Sequence, residues 1–392
     1  MQDPRPSFDY ELPEDRIAKH PPARREDARL LHMDAQGQVV DRHIGDLASL
    51  LPAGSGVWVN ETKVLHARMM ARKPTGGVLE LLLLEPTDMP VEKALVAHSP
   101  VVWNAMVGGA KKWKSGHLEI PDSGVNLRVE REDGRDGQAL RFTWTGEDRF
   151  GDILDRLGRI PLPPYMRREA DAADEDRYQT VFARLPGSVA APTAGLHVTE
   201  ELIRHMTAKG IAFGKVTLHV GVGTFKPLSG EVDGHVMHGE RCLVDGASLR
   251  CLAGIEDLTV VGTTSLRTLE SAFWLASRWK AGGAGPEVDV AQWIHREVEP
   301  QFATFCEAAG WLADRIGEDG TLEFVTHLMV VPGYAVRSAR RILTNFHMPN
   351  STLLCIVEAM VGPTWREAYA HAVGAGYRFL SYGDACLLER SE

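Results

Sequence analysis

The sequence predicts an α/β protein: a main α/β domain with a small all-β barrel domain inserted into it. Three observations carry this. From about residue 151 onward, strand-like and helix-like segments alternate, as in a sheet covered by helices. Between about 65 and 150, short β-like runs follow one another with no comparable helix. Glycine-rich turn formers separate those runs at the spacing of a small barrel or sandwich. The boundaries read as 1–62 and 153–392 for the two parts of the main domain, and 63–152 for the insertion.

In chain order, Leu12-Pro13-Glu14-Asp15 looks like a helix start, with proline and acids in its first turn. Val57-Trp58-Val59 reads as a buried strand. In the insertion, strands are expected at 79–84, 101–107, 118–120, 125–129 and 140–144. Thr199 can cap a helix that Lys209-Gly210 ends. A strand follows, with Val216, Leu218, Val220 and Val222 on one face and Thr217, His219 and Gly221 on the other. Thr259-Val260-Val261 feeds Gly262-Thr263-Thr264, where Ser265 is placed to cap the next helix. Ser351 is placed to cap another, with Leu354, Val357 and Val361 on one face and Gly362-Pro363 as its stop. A last strand is expected at 378–380, entering the turn Ser381-Tyr382-Gly383-Asp384.

The totals exclude several classes. A chain of 392 residues can bury a large core. Its formal net charge of −10 argues against broad attraction to nucleic acid and leaves room for a local basic patch. No apolar run approaches membrane-spanning length, and the N-terminus lacks a basic-then-apolar signal pattern, so a cytoplasmic protein is expected. The five cysteines are scattered and odd in number, which fits reduced thiols.

Four polar passages sit at strand ends or helix starts, where α/β proteins build small-molecule sites. They are Pro192-Thr193-Ala194-Gly195-Leu196-His197, His219 with Gly221-Val222-Gly223-Thr224, Gly262-Thr263-Thr264-Ser265 with Arg267 and Glu270, and Asn345-Phe346-His347 with Ser351-Thr352. Together they argue for an enzyme. Histidine suits proton transfer near neutral pH. Hydroxyls and free N–H groups at a helix start suit a carboxylate or phosphate. His219 to Gly223 is not a dinucleotide fingerprint, because Lys226 stands where its last glycine would be. His235, His238 and Glu240 have metal-like spacing, but further ligands are not evident and no metal is expected. Lys112, Arg167 and Arg168 offer charge to phosphates, and Tyr165 offers a ring to a base.

These passages resemble those of the S-adenosylmethionine:tRNA ribosyltransferase-isomerase family of the queuosine pathway. Leu12 to Ala18, Thr75-Gly76-Gly77, Gly187 to His197, His219 to Pro227, His238-Gly239-Glu240, Gly262 to Ser271, Thr344 to Leu354 and Ser381 to Asp384 match in the family's order along the whole chain. The resemblance implies a main α/β domain split by a β-barrel. It implies transfer of the ribosyl part of S-adenosylmethionine to 7-aminomethyl-7-deazaguanine at the tRNA wobble position, giving epoxyqueuosine, adenine and methionine. S-adenosylmethionine would be a substrate, with no permanently bound cofactor.

On that reading His197, His219 and His347 are the expected acid, base or adenine-contacting groups. Thr263, Thr264, Ser265 and Arg267 would hold the methionine carboxylate or a tRNA phosphate. Thr193, Gly195, Gly223, Thr224, Glu270, Asn345, Ser351, Thr352 and Asp384 complete the expected substrate site. Lys112, Tyr165, Arg167 and Arg168 are the expected tRNA contacts, and a monomer is the expected state. The chain departs from the family pattern at Arg340, at Arg241-Cys242 and at Val198. Two alternatives remain: another acceptor for the same donor, or a tRNA-binding relative without catalysis.

Overall fold

The computed structural model describes residues 8–121, 124–132, 139–221, 223, 228, 232–282 and 288–391. It is a mixed α/β structure with a ten-stranded sheet. In spatial order the strands are Asp289–Val290, Thr321–Thr326, Glu240–Asp245, Ala212–Leu218, Gly56–Asn60, Leu258–Val261, Arg341–Asn345, Ala385–Glu389, Arg29–Met33 and Val39–His43. The middle four, from Ala212–Leu218 to Arg341–Asn345, run parallel. Their C-terminal ends therefore open on one side, the usual place for a ligand in such sheets.

Central parallel strands are buried on both faces, so they read as continuous apolar runs rather than alternating ones. Gly56–Asn60 is buried at every position. Trp58 of this strand lies opposite Gly214 of its neighbour. A Cβ on Gly214 would stand 2.1 Å from the Trp58 indole, so this pairing requires glycine.

Helix Gly262–Lys280 follows Leu258–Val261 directly, and Gly262 makes the turn at φ +86°. Most of the helix is buried, and several of its polar residues are matched within it. Ser265 Oγ donates to the Val261 carbonyl and Thr268 Oγ1 to that of Thr264. Ser265 therefore lies within the first turn instead of capping it, because the helix starts at Gly262.

A second group of strands closes into a barrel: Ala139–Thr143, Val101–Val107, Val78–Pro86, Arg68–Arg72, Leu118–Glu119 and Arg128–Arg131. Its core holds Trp103, Phe142 and Phe150, with Phe150 stacked on Trp144 at 5.6 Å. Two features differ from expectation. Strand Arg68–Arg72 was hidden by its flanking arginines, and helix Val91–Val96 interrupts what read as all-β. That helix is short and opens after Pro90, so it carries little periodic signal.

Three further expectations are corrected. Glu14–Arg16 is a single 3-10 turn, since Ile17 immediately bridges to Phe379. Residues 378–380 make only that bridge, and the last strand is Ala385–Glu389. Strand Ala212–Leu218 ends before His219, and Val222 lies outside the described residues. The capped helix Glu200–Ala208 matches its sequence signals, with Thr199 Oγ1 accepting from the Leu202 N–H. All five cysteines are free thiols. Among the described residues no helix is long and apolar enough to cross a membrane.

Candidate active site

Two cavities lie beyond the C-terminal ends of the parallel strands. The larger, ≈ 480 Å³, lies between the barrel, through Glu85, Met89 and Met106, and the main sheet, through His219, Thr263 and Arg267. The smaller, ≈ 300 Å³, is lined by Tyr165, Thr193, Asn345, His347, Ser351 and Ser381 among others. Val220, Thr263, Thr264 and Leu353 line both. Both volumes suit small organic ligands, and the shared wall lets two ligands meet.

Four buried polar atoms around these cavities have no hydrogen-bond partner among the described residues: His219 Nε2, Arg267 Nη2, Thr264 Oγ1 and Ser351 Oγ. Buried polar groups are normally paired, so such a cluster marks groups reserved for a ligand. Other orphans, such as the Trp58 and Trp103 indoles, sit in hydrophobic cores instead.

The larger cleft carries the charge. Arg267 pairs with Glu240 and donates to the Leu328 carbonyl at 3.1 Å, both side chains being nearly fully buried. Arg241 bridges Glu92 on the barrel-side helix, at 2.8 Å, and Glu323, at 2.7 Å. Arg241 thus ties helix Val91–Val96 of the barrel unit to the main sheet. His219 Nδ1 meets Thr62 Oγ1 at 2.9 Å, and Thr62 Oγ1 meets Ser188 Oγ at 2.7 Å. Burial, reinforced by Arg241, pushes the His219 pKa down to about 4.

The smaller cavity is neutral in character. Asn345 Oδ1 accepts from Thr193 Oγ1 at 2.8 Å, while Asn345 Nδ2 donates to His197 Nε2 at 3.2 Å. His347 Nε2 pairs with Thr344 Oγ1 at 3.0 Å, and the Tyr369 hydroxyl caps the His347 N–H. Burial pushes His197 and His347 down to about 3, with Arg378 and Arg25 assisting at His197. All three histidines are therefore neutral at pH 7 and weak proton acceptors. They suit hydrogen bonding to uncharged ligand atoms better than general-base work. Ser351 stands at the N-cap of helix Thr352–Val361 but makes no capping bond, which leaves its hydroxyl unused.

The cavities thus gather His219, Gly223, Thr263, Thr264, Arg267 and Thr352 on one side, and Thr193, Asn345, His347, Ser351 and Tyr165 on the other. Other expected site residues lie elsewhere. Glu270 is fully buried and holds the Tyr334 hydroxyl, the Arg337 and Ser338 N–H groups and the Ser338 hydroxyl, so it anchors a loop. Asp384 holds the Arg29 and Arg378 N–H groups. Gly195 packs on Phe182 and Thr180, where a Cβ would come within 3.0 Å of Thr180. Ser265 is turned back on its own helix. His197 sits behind Asn345 and lines neither cavity. Thr224 lies outside the described residues.

Among the expected tRNA contacts, Arg168 is locked by two bonds to Asp174 and by the Lys19 carbonyl. Arg167 remains 69% exposed beside Glu14, and Lys112 is exposed on the turn Ala110–Lys112. Tyr165 lines the smaller cavity with its hydroxyl on Ser381, so its ring is not a free surface platform. Among the described residues no group of three or more histidines, cysteines or carboxylates is placed to hold a metal ion.

Thr62 and Ser188 join the site without having been singled out for it, and Glu240 joins it as the partner of Arg267 instead of as a metal ligand. Asn60-Glu61-Thr62 is a polar run at the end of a buried strand, the same signal that marked the other passages. What the sequence could not show is that Thr62 and Ser188 meet under His219 from separate strands.

Comparison with known proteins identifies the family. Residues 5–388 match the model of a family described as queuosine biosynthesis protein. A protein of Anaeromyxobacter sp. named S-adenosylmethionine:tRNA ribosyltransferase-isomerase is 40% identical over 98% of this chain and 99% of its own length. One of the same name from Azoarcus sp. is 38% identical over 98% of this chain and 97% of its own. The crystal structure of S-adenosylmethionine tRNA ribosyltransferase from Thermotoga maritima covers 97% of this chain at 26% identity and a TM-score of 0.45. With the family model spanning nearly the whole chain, this protein belongs to the queuosine biosynthesis protein family.

Proposed function

We propose that this protein transfers the ribosyl part of S-adenosylmethionine to the aminomethyl group of 7-aminomethyl-7-deazaguanine at the wobble position of tRNA. The ribose is isomerised to an epoxycyclopentane, and adenine and methionine leave. The observation that carries the site assignment is the set of four orphaned polar atoms around two cavities that share a wall. A two-substrate transfer needs such an arrangement, because holding both reactants in contact removes much of the entropic barrier.

The larger cleft suits the donor. S-adenosylmethionine carries a carboxylate, an ammonium and a sulfonium, and only this cleft is lined by a buried ion pair. Arg267 Nη2 is the natural partner of the carboxylate. The smaller, neutral cavity suits the deazaguanine base, with Asn345 and Ser351 reaching its edges. His219 contacts the donor, His347 the base, and His197 positions Asn345. Thr264, on the shared wall, is available to either ligand.

Residues 63–152 form the inserted unit in this reading and roof the donor cleft. Arg167 and Lys112 are the exposed cations available to the tRNA backbone. No cofactor beyond the donor is required, and the protein acts as a cytoplasmic monomer.

The test is to incubate the purified protein with S-adenosylmethionine and tRNA bearing the aminomethyl-deazaguanine base, then analyse the products by mass spectrometry. Adenine, methionine and an epoxyqueuosine nucleoside are expected. Adenine without the modified nucleoside would move the acceptor, and neither product from folded protein would end the assignment.

A further inference from the structure

His219 is buried at the edge of the larger cleft, with its ring against Gly187, where a Cβ would lie 2.6 Å from ring atoms. The ring is therefore held in place by packing. Its Nδ1 is engaged and its Nε2 is free among the described residues. Which nitrogen carries the proton decides what the cleft is offered.

The partners fix the answer. Ser188 Oγ accepts the Val220 N–H at 2.8 Å, and its one other hydrogen-bond partner among the described residues is Thr62 Oγ1 at 2.7 Å. Among the described residues Thr62 Oγ1 in turn has only Ser188 and His219 Nδ1. If the Ser188 hydroxyl donates to Thr62, the Thr62 hydroxyl donates to Nδ1, and both hydroxyl protons have acceptors; the one donor left over is the imidazole N–H at the cleft, where a ligand can accept it. Nδ1 is then bare and the proton of the neutral imidazole sits on Nε2. In the reverse order Nδ1–H donates to Thr62 and Thr62 to Ser188. The Ser188 proton is then left with no acceptor at a fully buried site.

We propose that Thr62 and Ser188 are positioning residues that lock His219 in the Nε2–H tautomer, so that the cleft is presented with a hydrogen-bond donor aimed at an uncharged acceptor such as a purine ring nitrogen. Glu92 Oε1 stands 4.0 Å from Nε2, too far for a bond. The second half of the inference rests on the donor reading above. A neutral imidazole that keeps its proton and polarises its partner would support departure of adenine without itself ionising.

The test uses the full-length protein labelled with 15N at histidine, with the His219 signals assigned by their loss in His219→Gln. Two-bond 1H–15N correlation at pH 7.5 reads which nitrogen is protonated. The Nε2–H form is expected in the unaltered protein. Thr62→Val should release the lock to a tautomer mixture and lower kcat roughly tenfold or more, with KM for S-adenosylmethionine within about twofold. Thr62→Ser should restore both the tautomer and most of kcat. If Thr62→Val fails to fold, Thr62→Ala gives the same reading, since it likewise removes the hydroxyl that donates to Nδ1.

His219→Gln, whose amide N–H can replace Nε2–H, should retain more activity than His219→Asn. An Nδ1–H signal in the unaltered protein, or a Thr62→Val variant with unchanged tautomer and kcat, would overturn the inference. An Nε2–H signal in a protein that forms no ribosyl product would leave the lock standing and remove the donor reading.

Discussion

The two cavities share a wall but are built from opposite materials. The larger cleft is framed by buried and half-buried charge: Arg267 with Glu240, and Arg241 with Glu92 and Glu323. The smaller is framed by an amide, hydroxyls and a neutral imidazole: Asn345, Thr193, Ser351, Tyr165 and His347. A buried charge survives only when paired, so each ion pair is matched to a ligand or to a structural need. The difference teaches that one side is organised for a molecule with ionic ends. The other is organised for a flat, polar, uncharged one.

The largest effect should come from the charged side. His219→Ala should lower kcat roughly 100-fold, the usual cost of losing one preorganised hydrogen-bond donor at a reacting group. A drop of less than about threefold, measured in steady-state product formation, would remove His219 from the donor site. Arg267→Met should destabilise the fold by about 3–5 kcal/mol, because it removes the cation that balances the buried Glu240 carboxylate. Pairing it with Glu240→Gln should return much of that loss in denaturant unfolding, yet leave KM for S-adenosylmethionine raised. Full recovery of KM in the double variant would show that the pair is structural only.

The neutral side should respond more gently. Ser351→Ala removes a hydroxyl that makes no bond within the described protein. Stability should change by no more than about 0.5 kcal/mol, while KM for the modified tRNA should rise several-fold, the worth of about one hydrogen bond. A clear loss of stability with unchanged KM would mean the hydroxyl serves the helix after all.

Acid should act on both cavities alike. His197, His219 and His347 have folded-state pKa values of about 3 to 4, below their ordinary 6.5. The unfolded chain thus takes up these protons first as pH falls. Their contribution to stability should be complete above about pH 7 and decline steadily from about 6.5 towards 4. Alanine at His347 should flatten part of that slope in pH-dependent unfolding. At the periphery, Arg167→Glu should weaken tRNA binding only a few-fold and lower its salt dependence. Arg168→Glu should instead unfold the segment it braces, because Arg168 is committed to Asp174.

How much of this was legible in the sequence also divides along the comparison. The smaller cavity was nearly all there to read, because Asn345, His347 and Ser351 crowd one short passage at a strand end. The parallel strands were legible as apolar runs feeding polar turns. The larger cleft was only half legible, since its barrel wall and the Thr62–Ser188 contact depend on long-range packing that no local pattern encodes. Glu270 and Asp384 misled for a related reason. A buried carboxylate holding backbone N–H groups looks, in sequence, like one waiting for a ligand.

The most direct measurement is a structure of the protein with S-adenosylmethionine bound and no tRNA present. The account predicts the molecule in the larger cleft, its carboxylate on Arg267 and its adenine within reach of His219 Nε2, with the smaller cavity free for the base. S-adenosylmethionine seated against Asn345, His347 and Ser351 instead would contradict the division of labour proposed between the two cavities.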